Sequence, residues 1–321
     1  MNAPQHEPHA QQTEHTENKP SWSNRLFILL QHLLPRLTLS RLMGTVGDCQ
    51  IPWVKNTCID AFRAYFPVNL SEALEEEPHA YDSFNAFFAR ALKPEARPFI
   101  PNAHHFLSPC DGVLLTHGSL SPALFPTSSP SMQVKNHTFT LNSLLAGEAS
   151  LLARYQHGHY NIIYLAPHHY HRIHMPLDGT LLSMIHVPGT LYSVNDVTVS
   201  GVPGVFARNE RVICTFDTAH GLLTLILVGA LIVGSIATPW AGIVTPRHRR
   251  IARFTYDNGN SGHNGESMSA PIQLKQGEEM GRFLMGSTVI ALSESSSLTW
   301  ARDQIKPGAE VRLGQRMGQF D

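Results

Sequence analysis

Of the 19 histidines in this 321-residue chain, His168, His169, His171 and His174 crowd into one short stretch. Imidazole titrates near neutrality, so such a run is a natural source of a general acid or base. Two other short sequences offer complementary groups. SPCDG at 108–112 carries the carboxylate of Asp111, and MGST at 285–288 carries the hydroxyl of Ser287. Serine is a weak nucleophile until a neighbouring base takes its proton. A carboxylate on the far nitrogen of that base fixes its tautomer and stabilises the imidazolium. Asp111, His174 and Ser287 can therefore supply acid, base and hydroxyl if the fold brings them together. Each sequence is weak alone: Gly-Ser-Thr is often a plain turn opening a strand, and a proline-flanked Asp-Gly is more often a turn than a catalytic acid. Ser287 also lacks the GxSxG elbow of many hydrolases. The clustered histidines offer metal ligands, but no HExxH occurs and no cysteine or acidic partner stands at ligand spacing, so no metal is assigned.

The surrounding elements must hold these groups. Pro167 suits the first position of a helical turn after a strand at 161–165. His171 and His174 would then be i, i+3 neighbours on one face, whereas a continuous strand would point them to opposite faces. Residues 47–97 read as helix. Within them FNAFFARALKPEARP, at 84–98, puts Phe84, Phe87, Phe88 and Leu92 on one face and Arg90 on the other, with Pro94 and Pro98 as the stop. From residue 98 onward short apolar runs alternate with Gly, Pro and Asn turns, which is strand grammar. The expected class is α+β: a leader at 1–20, a helical region at 21–97 and a β-rich catalytic domain at 98–321.

Composition sets the outer limits. With 42% hydrophobic and 15% charged residues the chain is not disordered as a whole. A net charge of -1 leaves no global field to gather nucleic acid. Cys49, Cys58, Cys110 and Cys214 form no CxxC and read as thiols of a reducing compartment. The leader is polar, without arginine or an apolar core, so it is expected to be disordered and is neither a signal nor a transit peptide, which points to a cytoplasmic, bacterial-type setting. Residues 21–46 contain no acidic residue. Trp22, Leu26, Leu29, Leu30 and Leu33 recur at helical spacing, with Arg25, Arg36 and Arg41 alongside. That pattern fits a segment lying in a membrane interface and equally an ordinary helix packed on its own domain. Residues 221–246 are uncharged and long enough to span a bilayer. Gly229, Gly234, Gly242, Pro239 and Pro246 interrupt the run, and 231–236 is rich in β-branched residues, so buried strands fit better.

Read in order, FNAFFARALKPEARP, SPCDG, YLAPHHYHRIHMP, HVPGTLYSVN, FARNERVI, VGALIVGSI and GRFLMGST resemble the phosphatidylserine decarboxylases, pyruvoyl-dependent enzymes of bacterial and mitochondrial inner membranes. The likeness runs from about Asn24 to near the C-terminus and is to the shorter bacterial type. It implies self-cleavage between Gly286 and Ser287, giving a large chain, 1–286, and a small chain, 287–321. Asp111, His174 and Ser287 would form the relay for that cut, and Ser287 would become a covalent pyruvoyl cofactor. That group would form a Schiff base with phosphatidylserine, carbon dioxide would leave, and His171 would donate the proton that completes phosphatidylethanolamine. The resemblance further implies an anionic membrane surface as partner for 21–46, a peripheral place on the cytoplasmic face of the bacterial inner membrane, core strands at 221–246 and a dimer of cleaved pairs. It brings no metal, pyridoxal phosphate or nucleic acid. Met285 stands where the family usually has leucine, and His168 and His169 stand where it often has Arg and Asp, so no role is carried onto either. Competing readings are a pyruvoyl decarboxylase of a soluble amino acid, a processing-dead lipid-binding scaffold, and an integral membrane protein built on 221–246.

Overall fold

The computed structural model describes residues 22–33, 36–120, 129–134, 137–230, 235–245, 250–256, 271–284 and 287–321. The leader at 1–20 and the residues Met285 and Gly286 lie outside the described residues, and for Arg25, Leu33, Arg36, Arg41 and Ser287 the backbone alone is described. The class is α+β, with short helices first and strands after.

A nine-stranded antiparallel sheet is the frame. Its order is Ala252–Thr255, Gly179–Val187, Arg211–Thr218, Gly221–Gly229, Ser287–Ser293, His159–Leu165, Gly112–Ser119 and Glu310–Val311, with Gln273–Leu274 also paired to Gly179–Val187. The strand Gly221–Gly229 is buried from Leu222 to its end. Its side chains alternate between two cores: Leu222, Ile226 and Val228 face one, and Leu223, Leu225 and Leu227 face the other. Period-2 alternation explains the missing charge, because both faces of this strand are covered. One face lies under helices that contribute Ile59, Phe87, Phe88 and Phe206. The other lies under smaller sheets that contribute Ile173, Ile236, Phe283 and Trp300. The rest of the uncharged run supplies the short strands Ile236–Thr238 and Gly242–Ile243, and no helix of the described residues is long and apolar enough to cross a membrane.

A four-stranded sheet in the order Gly242–Ile243, Ile236–Thr238, Glu279–Phe283, Arg172–His174 packs against this frame. The strand Glu279–Phe283 belongs to it, whereas Ser287–Ser293 lies deep in the large sheet. The expected cut therefore falls where the chain passes from one sheet to the other.

The helical region is shorter than the sequence reading expects. Helices α1 (Trp22–Leu33), α2 (Arg36–Gly47) and α3 (Pro52–Tyr65) are followed by irregular chain, then by α4 (Phe84–Phe88), five residues long. Ser83 caps α4 by accepting from Ala86 N–H at 3.1 Å, which satisfies a donor that the first turn leaves open. Phe84, Phe87 and Phe88 do share a buried face, packed around Phe62 with ring centroids 5.3, 6.1 and 5.7 Å away. Leu92 does not lie on that helix, because the chain has already turned and Leu92 pairs with Ala73 as an isolated bridge. Nor is Arg90 on an outer face: it is 3% exposed. Helical periodicity read through Leu92 overruns the helix by about one turn, across residues that tertiary contacts hold in another conformation.

Candidate active site

The strand Ser287–Ser293 begins at one end of the large sheet. Ser287 pairs with Leu165 on one side and Gly229 on the other. Asp111 immediately precedes the strand Gly112–Ser119, which lies beyond His159–Leu165. Gly112 is required for that approach, since a Cβ there would meet the Tyr164 carbonyl oxygen at 2.5 Å. The histidine segment leaves the same end of His159–Leu165. One sheet end thus gathers the start of the 287 strand, the Asp111 loop and the histidine run.

No helical turn carries His171 and His174, contrary to one sequence expectation. A tight turn, closed by His169 N–H to Ala166 O at 3.0 Å, is followed by the strand Arg172–His174. That strand pairs with Glu279–Phe283, opposite the residues that lead to the expected cut. The main chain of His171 accepts from Phe283 N–H at 3.0 Å.

His171 is fully buried, with its ring 4.1 Å from that of Phe88. Its Nδ1 lies 2.9 Å from His169 O. A carbonyl only accepts, so Nδ1 carries the proton and Nε2 keeps a lone pair. That Nε2 is buried and has no hydrogen-bond partner among the described residues. Burial, then the nearby Arg90 charge, push the imidazole well below its ordinary value. At neutral pH it is therefore an uncharged imidazole with an unbonded lone pair on Nε2.

His174 is held at both nitrogens. Nδ1 lies 2.7 Å from Gly277 O, and Nε2 lies 3.0 Å from the Tyr170 hydroxyl. Burial raises the Tyr170 pKa, so its O–H stays protonated and donates to Nε2. Burial lowers His174, and the Gly277 carbonyl partly offsets this. Gly277 sits at φ 86°, and a Cβ there would strike the Phe99 ring at 2.0 Å, so this contact depends on glycine.

Asp111 is buried and bound elsewhere. Arg97 donates Nε at 2.9 Å and Nη2 at 2.5 Å to its two oxygens, and Leu313 N–H donates at 2.9 Å. Arg97 Nη2 also holds Glu72 at 2.8 Å. Asp111 therefore acts on His174 through its charge, which favours the imidazolium, while the tautomer is fixed by Gly277 O. The His174 N–H donates to Pro109 O at 2.8 Å and ties the two segments at the main chain. Sequence reading misses Arg97, Tyr170 and Gly277. Tyr170 lies inside the histidine run and Arg97 inside KPEARP, but nothing in their spacing marks them as partners.

Thr288 Oγ1, next to Ser287, is likewise buried without a hydrogen bond among the described residues. It and His171 Nε2 are two buried polar atoms left unbonded, the first at the second residue of the 287 strand and the second in the segment that follows Leu165, the partner of Ser287. Such atoms suit a site whose chemistry has yet to place a reacting group there. For a metal, His168, His169 and Glu310 bring one ligand atom each to within 4.8 Å of one another. Sequence spacing hides this trio, because Glu310 arrives from the far edge of the sheet.

These features define a class: an α+β protein that gathers a buried carboxylate, a run of largely buried histidines and the head of a core strand at one end of a sheet. The profile of the phosphatidylserine decarboxylase family matches residues 84–319, and a second profile, described as PSD, matches residues 26–66. A phosphatidylserine decarboxylase proenzyme of Azotobacter vinelandii is 48% identical over 92% of this chain and 98% of its own length. Proteins of the same name from Stutzerimonas stutzeri and Bordetella pertussis are each 46% identical, over 92% of this chain and 95% of theirs. The chain belongs to the phosphatidylserine decarboxylase family.

Proposed function

We propose that the chain is a precursor that cuts itself between Gly286 and Ser287 and then converts phosphatidylserine to phosphatidylethanolamine and carbon dioxide. The carrying observation is the placement of residue 287 at the head of a core strand, beside a histidine segment laddered to the strand that delivers the cut bond. In this reading a leader at 1–20 and a membrane-associated helical part at 21–97 precede a catalytic part at 98–321.

For the cut, Ser287 Oγ attacks the Gly286 carbonyl while His174 Nε2, released by Tyr170, takes the hydroxyl proton. The Asp111 charge supports the imidazolium, and Gly277 O keeps Nδ1 protonated. The peptide bond becomes an ester, elimination breaks the ester, and hydrolysis with loss of ammonia leaves residue 287 as a pyruvoyl group on the small chain, 287–321, apart from the large chain, 1–286. That group supplies a carbonyl able to hold the electron pair left when carbon dioxide departs, a capacity ordinary side chains lack. His171 Nε2 is the proton carrier: it takes up a proton from the site and hands it to the substrate Cα after carbon dioxide has gone. Phe88 seals its ring from water.

The helices supply the surface. Trp22 is 78% exposed and Trp53 74% exposed, with Leu26, Leu29 and Leu30 also open to solvent. Apolar side chains displayed this way suit the interface of an anionic membrane, here the cytoplasmic face of the bacterial inner membrane, with the protein peripheral. A dimer of cleaved pairs rests on the family resemblance. Mass spectrometry of the purified protein tests the whole reading. Expected are two chains, the smaller beginning at residue 287 with a carbonyl trapped by hydrazine, and carbon dioxide release from phosphatidylserine vesicles. Ser287→Ala should give one uncut, inactive chain. Full activity from unbroken wild-type chain, or activity on free serine alone, would overturn it.

A further inference from the structure

Arg90 is the most unusual charged residue of the described chain. It is 3% exposed, and only one nitrogen is bonded: Nη2 donates to His168 O at 3.0 Å and His169 O at 3.3 Å. Its Nε and Nη1 are buried without a hydrogen-bond partner among the described residues. A buried guanidinium with spare donors and no carboxylate partner is costly unless a ligand completes it.

Arg90 lines a cavity of about 430 Å³ between α4 and the strands Arg172–His174 and Glu279–Phe283. Arg172, Arg282 and Leu284 line the same cavity. Arg172 and Arg282 share a single carboxylate, Glu279, at 3.0 and 2.7 Å. Of the acids on the wall, Asp48 is bonded to Asn85 and Glu75 to the main chain of Glu77. Those bonds are to neutral groups, so Asp48 and Glu75 keep their charge, but neither is paired with Arg90, whose Nε and Nη1 stay unbonded among the described residues. Arg90 also lies against the reaction centre. Its Nη2 grips the turn that follows Leu165, the partner of Ser287, and Leu284 is three residues from the expected pyruvoyl position.

The geometry points to Arg90 as the seat of the phosphodiester of the lipid headgroup, a binding role that rests on the decarboxylase reading above. Two anionic groups of phosphatidylserine could meet a guanidinium. Holding the carboxylate would stabilise a charge that vanishes as carbon dioxide forms, which deepens the ground state and opposes the reaction. The phosphodiester keeps its charge throughout, so binding it orients the substrate without raising the barrier. The reacting amine is three bonds from the phosphate ester oxygen, which suits a cavity this close to residue 287. Exposed Leu74 stands on the same wall, where the acyl-bearing end of the lipid would lead away.

The test uses the cleaved enzyme with short-chain phosphatidylserine, the carbonyl content of each preparation being titrated with hydrazine. R90K keeps the charge and loses the planar fork, and R90Q loses both. Both should be cut and carry the carbonyl, and both should raise KM by about tenfold or more, a larger change than in kcat. An R90Q enzyme that is cut, carbonyl-bearing and unchanged in KM overturns the assignment. Glycerophosphoethanolamine, which has the phosphodiester without the carboxylate, should compete against substrate in the wild type, and free serine should not. The reverse order assigns Arg90 to the carboxylate and also overturns it. Should the variants fail to fold, a structure of the wild type with glycerophosphoethanolamine decides: phosphate within hydrogen-bond distance of Arg90 Nε or Nη1 supports the proposal, and phosphate seated elsewhere refutes it. Wild-type enzyme lacking a trappable carbonyl is a separate result, a failure of the decarboxylase reading itself.

Discussion

Strand Gly221–Gly229 and helix α1 are both leucine-rich, yet they spend their side chains in opposite ways. The strand buries Leu223, Leu225 and Leu227 on one face and Leu222 and Ile226 on the other. Helix α1 leaves Trp22, Leu26, Leu29 and Leu30 in the open and buries a glutamine, Gln31. The difference is what each element packs against. A central strand has neighbours on both sides and covering layers on both faces, so apolar residues at every position find a core. The helix meets the domain along one narrow line, at α7 (Asp196–Gly201), where Gln31 bonds Thr198 and the Ser193 main chain. Its apolar face has no protein to cover it among the described residues. Apolar content thus builds a core in one region and is left in solvent in the other.

The most severe way to break that division is at the site the strands support. His171→Ala should leave self-cleavage intact and lower decarboxylation by about 10²-fold or more, the usual scale of a lost proton carrier. Gel analysis and carbon dioxide release separate the two steps, and normal turnover by the cut variant would remove His171 from the mechanism. The same variant reports on acid stability. Unfolded histidine titrates near 6.5, and folded His171 lies well below that. The unfolded state therefore binds more protons as pH falls beneath about 6.5. Stability is full above that value and declines below it, by at most about 1.4 kcal/mol per pH unit for one group. His171→Ala should show a shallower decline than wild type in melts between pH 7 and pH 5.

Next in size comes the packing of the sheet. Leu225→Ala, in the Ser287→Ala background so that one unbroken chain is unfolded, should cost about 2–5 kcal/mol by lost burial and the cavity left behind. A loss under about 1 kcal/mol would mean that the sheet interior is looser than the alternation of its side chains indicates.

Trp22→Ala with Leu29→Ala probes the other side. Folding stability should move by no more than about 0.5 kcal/mol, since both side chains face solvent. Flotation with anionic vesicles should weaken by about tenfold or more, because each buried Leu or Trp contributes on the order of 1.5–3 kcal/mol in the interface. A large loss of stability with undiminished flotation would reverse the comparison.

How far the sequence discloses this depends on the range of the interaction. The strands Gly221–Gly229, Ile236–Thr238 and Gly242–Ile243 are legible because glycine and proline act locally, while 231–234, most of the β-branched stretch, and Pro246 lie outside the described residues. The exposed face of α1 is legible because 3.6-residue spacing is local too. The α+β class follows from the same grammar. Arg90 is not legible: helical spacing turns it outward, and only the early end of α4 and the contact with His168 and His169 carry it inside. Asp111 is legible as a candidate but not its partner, because Arg97 reaches it across a turn that periodicity cannot describe. The tautomer of His174 is set by Gly277, on a segment far away in the chain. Groups that act can be read from residue type, whereas the groups that hold them come from distant chain.

The gentlest test concerns the line where the two regions meet. Gln31 is nearly sealed from solvent, its Nε2 donating to Thr198 Oγ1 at 3.1 Å and its Oε1 accepting from Ser193 N–H at 2.8 Å. Ile28 closes over Gly201 beside it, where a Cβ would meet the isoleucine methyl at 2.3 Å. Gln31→Ala removes both bonds and leaves the Ser193 N–H without its acceptor, a cost of about 1–2 kcal/mol. The sheet core should be untouched, so the change should appear as faster amide exchange in 22–33 and 193–201 with little effect across Gly221–Gly229. Uniformly faster exchange through the sheet would show that α1 is part of the same cooperative core. Local exchange alone would show that helix α1 is fastened to the rest of the chain by one polar clasp and can loosen without unfolding it.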